Sequence, residues 1–270
     1  MERAIFYEPG RKFPAVSVTG AVCEQMCEHC KGHHLRNMIP AVSSEELIAE
    51  AARIKGEGGT GMLISGGCDV NGKVPVAELT EAIGKVKGMG LEINLHAGFL
   101  TESEAETLVR SGVDRFSTDV HQDPGIIKDV LHLEQGPEAY AETVRNIMNA
   151  GGSVVPHVTS GFGKDLELSM ELLKALNVSN VVVLALVRTP GTDNVEPSQE
   201  TVLKDIRKLI DSGFNVILGC MRSRNYESLE IECMKMGVRH IANPSRKTLK
   251  WATENDIVYE MFETCCCMTL

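Results

Sequence analysis

The chain reads as an α/β protein built as a complete or near-complete (β/α)8 barrel, with function expected at the carboxyl ends of its strands. Short apolar stretches alternate with amphipathic ones eight times without a break, the pattern of parallel strands joined by right-handed crossovers. Gly112, Gly151, Gly213 and Gly237 each follow a helical stretch directly, where a left-handed residue favours helix termination. The length, 270 residues, suits one such barrel. An open doubly wound sheet shares the alternation, but no Gly-x-Gly-x-x-Gly follows the first strand.

After a polar lead-in, Pro-Ala-Val-Ser-Val-Thr-Gly at 14–20 predicts the first strand. Ser43 and Ser44 running into Glu45 and Glu46 form a capping-box pattern, and apolar residues at helical spacing carry that helix over 43–55. A strand over 61–67 and a helix over 76–86 come next. Further strands fall near 91–97, 113–120, 153–159, 180–187, 214–220 and 238–242. Further helices fall near 102–111, 137–150, 166–176, 198–211, 226–236 and 245–254. No linker or low-complexity run intervenes, so residues 1–256 form one barrel domain and 257–270 a cysteine-containing tail. That tail starts on the face opposite the strand ends. The stretch from Ile257 to Cys265 spans at most about 26–29 Å when extended, against ~17–20 Å for a strand. Its cysteines reach the catalytic face only if the tail runs extended.

Composition excludes some partners. A formal charge of −10 argues against a general nucleic-acid surface. No run approaches the roughly 18 apolar residues of a spanning helix, and the N-terminus lacks a signal-peptide pattern. Nine cysteines, three of them adjacent, do not form a secreted disulfide frame. The expectation is a cytoplasmic protein that meets neither membrane nor nucleic acid.

The loop after the first strand carries the chemistry: Cys23-Glu-Gln-Met-Cys27-Glu-His29-Cys30. Three thiolates can hold three irons of a cubane cluster and leave the fourth iron open to a non-protein ligand. A zinc site completed by His33 or His34, or plain buried cysteines, are the other readings of the same residues.

This spacing resembles that of radical S-adenosylmethionine (SAM) enzymes, with His29 where the family has an aromatic residue or a histidine. The resemblance implies a [4Fe–4S] cluster on Cys23, Cys27 and Cys30, chelated at its open iron by the amino and carboxylate groups of SAM. Ser65-Gly66-Gly67-Cys68-Asp69 is similar to the family's Gly-Gly-Glu-like turn, which binds the methionine amino group, although Cys68 departs from the acidic residue. By the same resemblance Ser117 and Asp119, ending the fourth strand, meet ribose hydroxyls or the methionine carboxylate. Gly161 and Phe162 are similar to the family's glycine-rich segment beside adenine. Thr-Pro190-Gly191-Thr192 resembles a turn of biotin synthase-like barrels.

Cys68 and Cys220, at strand ends, and Cys265, Cys266 and Cys267, in the tail, are extra to the triplet. An exposed run of three thiols would invite oxidation, which favours metal or cluster ligation for at least one of them. The Cys-Met-Arg segment at 220–222, the Asn-Pro-Ser start of the last helix and the cysteine-rich end look like the short biotin synthase homologues. These include components of the two-component lipoyl synthase. That resemblance implies sulfur insertion into an octanoyl chain on a carrier protein, with an auxiliary iron–sulfur cluster, an electron donor and a second radical SAM protein as partners. A biotin synthase-like enzyme catalysing another sulfur insertion, a rearrangement or a C–C bond step on a small aliphatic substrate is one alternative. A non-catalytic metal-binding protein is another.

Overall fold

Each apolar run forms a strand because its alternate residues have two different surfaces to bury. Val181 and Val183 turn outward to pack on helices, while Val182 between them turns into the lumen. The computed structural model describes residues 3–192, 195, 198–226 and 228–270. Its strands are β1 (Arg3–Tyr7), β2 (Ala15–Ser17), β3 (Ile39–Pro40), β4 (Gly61–Ser65), β5 (Glu92–Leu95) and β6 (Arg115–Asp119). They continue as β7 (Val154–Ser160), β8 (Asn180–Ala185), β9 (Asn215–Leu218), β10 (His240–Ala242) and β11 (Val258–Phe262). The helices are α1 (Ser44–Gly56), α2 (Thr80–Gly88), α3 (Glu102–Arg110), α4 (Pro137–Asn149), α5 (Asp165–Ala175), α6 (Gln199–Asp211), α7 (Leu229–Lys235) and α8 (Arg246–Glu254).

The strands form one sheet in the order β11-β1-β10-β9-β8-β7-β6-β5-β4-β2-β3, and every strand pair in it is parallel. The eight anticipated strands are β2 and β4 through β10, curled with helices outside. The core is two-layered. Leu47, Ile54, Ile83 and Leu108 pack outward-facing residues of β2, β4 and β5; Leu173, Ile206 and Leu209 do the same over β7 to β9. Ser43 caps α1, its Oγ accepting from Glu46 N at 3.1 Å. Gly112, Gly151, Gly213 and Gly237 all have positive φ. At the ends of β9 and β10, buried Arg222 pairs with Glu230 at 2.6 Å and donates to the carbonyls of Gly219 and Ala242. Glu230 in turn accepts from Ser245 N at the start of α8, so one ion pair ties two strands to two helices.

Three parts of the sheet differ from the sequence reading, the smallest being the two-residue β3 paired to β2. The polar lead-in contains β1, whose Ala4, Phe6 and Tyr7 are fully buried; flanking charges and Pro9 hide a five-residue strand. Residues 258–262 form β11, which pairs with β1 in register Arg3↔Val258 to Tyr7↔Phe262. Both lie beyond the eighth barrel strand, β1 on β10 and β11 on β1. No pairing joins β11 to β3 among the described residues. As an extended strand parallel to the rest, β11 returns the chain to the carboxyl face. Among those residues no helix is long and apolar enough to cross a membrane.

Candidate active site

The loop leaving β2 is held by main-chain bonds from three directions. Glu24 N and Gln25 N both donate to Cys68 O, at 2.9 and 3.3 Å. Glu28 N donates to Val130 O at 2.8 Å, and Thr189 Oγ1 reaches Cys30 O at 3.5 Å. Met26, Lys31 and Gly32 take positive φ, and Cys30 and Cys23 both bear electrostatically on Cys27. Cys27 hydrogen-bonds Cys30, which lowers the Cys30 thiol to about 7; the same bond, with burial, raises Cys27. Of the pair, Cys30 is the one biased toward the thiolate, the form that binds metal.

Gly66 and Gly67 adjoin this loop. Thr19 Oγ1 accepts from Gly67 N at 2.7 Å. A Cβ on Gly67 would lie 2.0 Å from Val22 O and 2.6 Å from Cys23 Cα, so only glycine lets β4's end reach the loop. Cys68 lies here as well: Cys23 raises its thiol, after burial, to about 12. The ring of His29 meets that of Phe162 edge-on at 5.5 Å, which brings the Gly161–Phe162 segment to the same mouth. Gly161 has φ 111° and its hydrogen faces Leu186. Burial, then the charge of His121, lowers His29 to about 4, and its Nδ1 is buried without a partner.

Inside the barrel a second thiol group has formed. Past β11 the chain turns into the lumen, where Cys265, Cys266 and Cys267 place their sulfurs within 4.8 Å of one another. Cys266 and Cys267 are buried among Tyr7, Val155, Val182, Ile217 and Ala242. Asn94 Nδ2 donates to Cys265 Sγ at 3.3 Å. Ser117 Oγ lies 2.9 Å from Asn94 Oδ1 and 3.4 Å from Cys267 Sγ. Arg115 donates to the carbonyls of Cys267 and Leu270, and Tyr7 OH meets Thr269 Oγ1 at 2.5 Å. Hydrogen bonds from its two neighbours hold Cys265 well below an ordinary thiol, while Cys266 and Cys267 are raised.

Strand β6 orders the two groups. Arg115, Ser117 and Asp119 share one face: the first holds the tail's last residues and the second touches Cys267. The third pairs with His96 Nε2 at 3.1 Å and bears electrostatically on Cys30 and Cys68. Ser117 and Asp119 are one pleat repeat apart, about 6.6 Å. Ser117 thus faces the tail thiols and Asp119 the mouth; the structure does not bring these two sequence candidates to the same place. Burial alone would raise Asp119, but His96, His157 and His121 outweigh it and hold it far below the usual carboxylate range. Burial opposes charge on His96 too, and Asp119 overcomes it, so its pKa is raised. Cys220 is exposed, yet desolvation raises its thiol and Cys265 adds to the shift. Both hold for a side chain lining a concave lumen.

Sequence reasoning missed Thr19, Tyr7 and Arg115. Thr19 and Arg115 look like ordinary strand-end polar residues, and Tyr7 lay in a segment read as lead-in.

The donor set suits the cluster that the cysteine spacing implies: three thiols on one loop and a bare glycine backbone beside them, with Cys68 a neighbouring thiol from the end of β4. Residues 17–176 match the Radical SAM superfamily. The chain is similar to biotin synthase of Vibrio cholerae, 22% identical over 240 residues, covering 84% of this chain and 68% of that protein. It is also similar to biotin synthase of Buchnera aphidicola, 23% identical over 196 residues, covering 67% of this chain and 57% of the relative. Among solved structures, the FeFe-hydrogenase maturase HydG from Carboxydothermus hydrogenoformans superposes with a TM-score of 0.68 at 17% identity, over 99% of this chain and 70% of that one. Methylornithine synthase (PylB) superposes with a TM-score of 0.65 at 13% identity, over 96% and 84%. These structures share the fold.

Proposed function

The chain belongs to the radical SAM superfamily, and on that premise we propose that it inserts sulfur into an octanoyl chain carried by a partner protein, as a component of a two-component lipoyl synthase. The observation that carries this reading is the presence of two sets of cysteines in one barrel, Cys23, Cys27 and Cys30 on the loop after β2 and Cys265, Cys266 and Cys267 clustered in the lumen. The biotin synthase relatives support a sulfur chemistry.

The family's cofactors are a [4Fe–4S] cluster and SAM; when bound, the cluster supplies the electron that splits the sulfonium into methionine and a 5′-deoxyadenosyl radical. Cys23, Cys27 and Cys30 would hold it. An auxiliary iron–sulfur cluster on the tail cysteines would be the sulfur source. The chain's own residues do the rest. Gly66 and Gly67 leave bare backbone for the methionine end. Asp119, kept ionised, offers acceptors to hydroxyl donors, and His29, kept neutral, and Phe162 offer ring faces and edges beside the cysteine loop. Val182 and Leu184 on the lumen wall give an aliphatic chain an apolar surface. Curled strands and the tail keep water from the reacting carbon, which must sit close to the radical carbon.

The test is an anaerobic incubation with SAM, a reductant and an octanoylated carrier peptide, with and without a second radical SAM protein, with products read by mass. Sulfur added to the octanoyl chain supports the proposal. Formation of 5′-deoxyadenosine with every candidate peptide left unmodified sinks it.

A further inference from the structure

Three adjacent cysteines supply three donors, and a tetrahedral thiophilic metal takes four. Around the tail thiols most polar groups are poor ligands or are already engaged. Asn94 gives an amide N–H to Cys265, and Ser117 shares its hydroxyl between Asn94 and Cys267. The Arg115 guanidinium is held by the carbonyls of Cys267 and Leu270, and the Tyr7 phenol by Thr269 and His240. Besides Cys220, the donor left there among the described residues is His157. It lies in the middle of β7, fixed between Asp119 of β6 and Val182 of β8 by ladder register. Its Nε2 sits 3.9 Å from Cys267 Sγ, and its buried Nδ1 makes no well-formed hydrogen bond. An imidazole this deep in a sheet normally satisfies both nitrogens; this one has the Cys267 sulfur as its side-chain contact, with the Val155 backbone and the Asp119 carboxylate acting on it electrostatically.

The spacing has a simple meaning. With metal–sulfur and metal–nitrogen bonds of about 2.3 and 2.0–2.1 Å, two ligands on one tetrahedral metal lie roughly 3.6–3.8 Å apart. The Cys267–His157 separation is close to such an edge, and the three sulfurs lie within 4.8 Å of one another.

We propose that His157 Nε2 and Cys267 Sγ bind the same metal, which makes the tail site a three-thiolate, one-imidazole site. This rests on the tail thiols holding metal, and it names the ligand that this reading left open. The shared chemistry is a thiophilic tetrahedral metal, either an iron of a [2Fe–2S] cluster, which takes two terminal ligands, or a single ion. Cys220 is the rival fourth donor, since it faces the lumen on β9's end and bears on Cys265.

The experiment uses the full-length chain with Cys23→Ala, Cys27→Ala and Cys30→Ala, so that only the tail site can load. It is labelled with 15N-histidine and either reconstituted anaerobically with iron and sulfide or titrated with Co2+. The two loadings separate a cluster from a single ion. In whichever form binds, pulsed electron paramagnetic resonance should show a directly coupled nitrogen whose splitting changes with the label. His157→Ala should remove that coupling and weaken metal retention at least tenfold. His157→Cys should retain the metal, lack the nitrogen signal and show stronger thiolate-to-metal charge transfer, which guards against simple misfolding. No histidine nitrogen in the loaded parent, or a coupling that survives His157→Ala, overturns the assignment and leaves Cys220 as the fourth donor. A parent that takes up neither iron nor Co2+ overturns the tail cluster itself, and the ligand with it.

Discussion

The three thiols at the mouth are positioned mainly by backbone, the three in the lumen mainly by side chains. Bonds from the loop reach the carbonyls of Cys68 and Val130, and a glycine at 67 makes the approach possible. The tail group instead depends on Tyr7, Asn94, Arg115 and Ser117, from β1, β5 and β6. A backbone-held loop carries its geometry in its own short sequence, so cysteine spacing alone announces it. A side-chain-held group exists only once distant strands have come together. The two should therefore fail separately.

The largest expected effect is at the mouth. Replacing Cys23, Cys27 and Cys30 together by alanine should reduce 5′-deoxyadenosine formation to background while the tail thiols stay buried. Turnover at the original rate in that variant would end the comparison.

Next comes the converse. Removing residues 264–270 should lower iron by about one cluster's worth and stop sulfur transfer, with SAM cleavage continuing. If iron and product both stay at parental levels, the lumen group is only a plug.

Gly67→Ala sharpens the contrast further. Its Cβ would overlap Val22 O and Cys23 Cα, so the cysteine loop must shift. Iron at the mouth should fall by at least half and iron in the lumen should stay, as counted in the two single-site backgrounds. Equal losses at both sites would show that the groups are not independent.

The smallest effect concerns the layer between them. Asp119 is depressed in the folded state, so its contribution is present above its unfolded pKa of about 3.9 and is lost as pH falls through the lower folded value. His96 is raised, so its contribution is present below about 6.5 and is lost as pH rises through the higher folded value. The pair stabilises most between about pH 4 and 6.5. The Asp119 carboxylate is crowded by protein on most sides yet keeps 41% of its side chain accessible in the open lumen, so solvent screening limits this to about 0.2–1 kcal/mol. Asp119→Asn should lower the melting temperature by a few degrees at most at pH 5.5, and by less at pH 9. A difference that grows with pH would contradict the ion-pair assignment.

The eight barrel strands and their helices were legible because each obeys one period, and Ser43 and the post-helical glycines mark their ends. The mouth was legible for the same local reason. β1 was not, because the charged Arg3 opens it and Glu8 and Pro9 follow after only five residues of strand. Nor was the destination of the tail: its reach demanded an extended path, but only pairing with β1 selects one. Ser117 shows the limit most clearly. Two positions from Asp119 on the same strand face, it belongs by depth to the other thiol group, and alternation reveals the face without the depth.

The bond between Tyr7 and Thr269 joins residues 262 apart. Closing so long a loop is entropically costly and comes late, since local helix and strand contacts form first. During synthesis the first strand must wait for nearly the whole chain before β11 and the tail can dock. The elements that hold the mouth loop are all made before residue 190, whereas the lumen group waits for residues 265–267. Refolding in the presence of oxygen should accordingly trap disulfides among the tail cysteines, and recovery of native protein should depend more on keeping that segment reduced than on any other step.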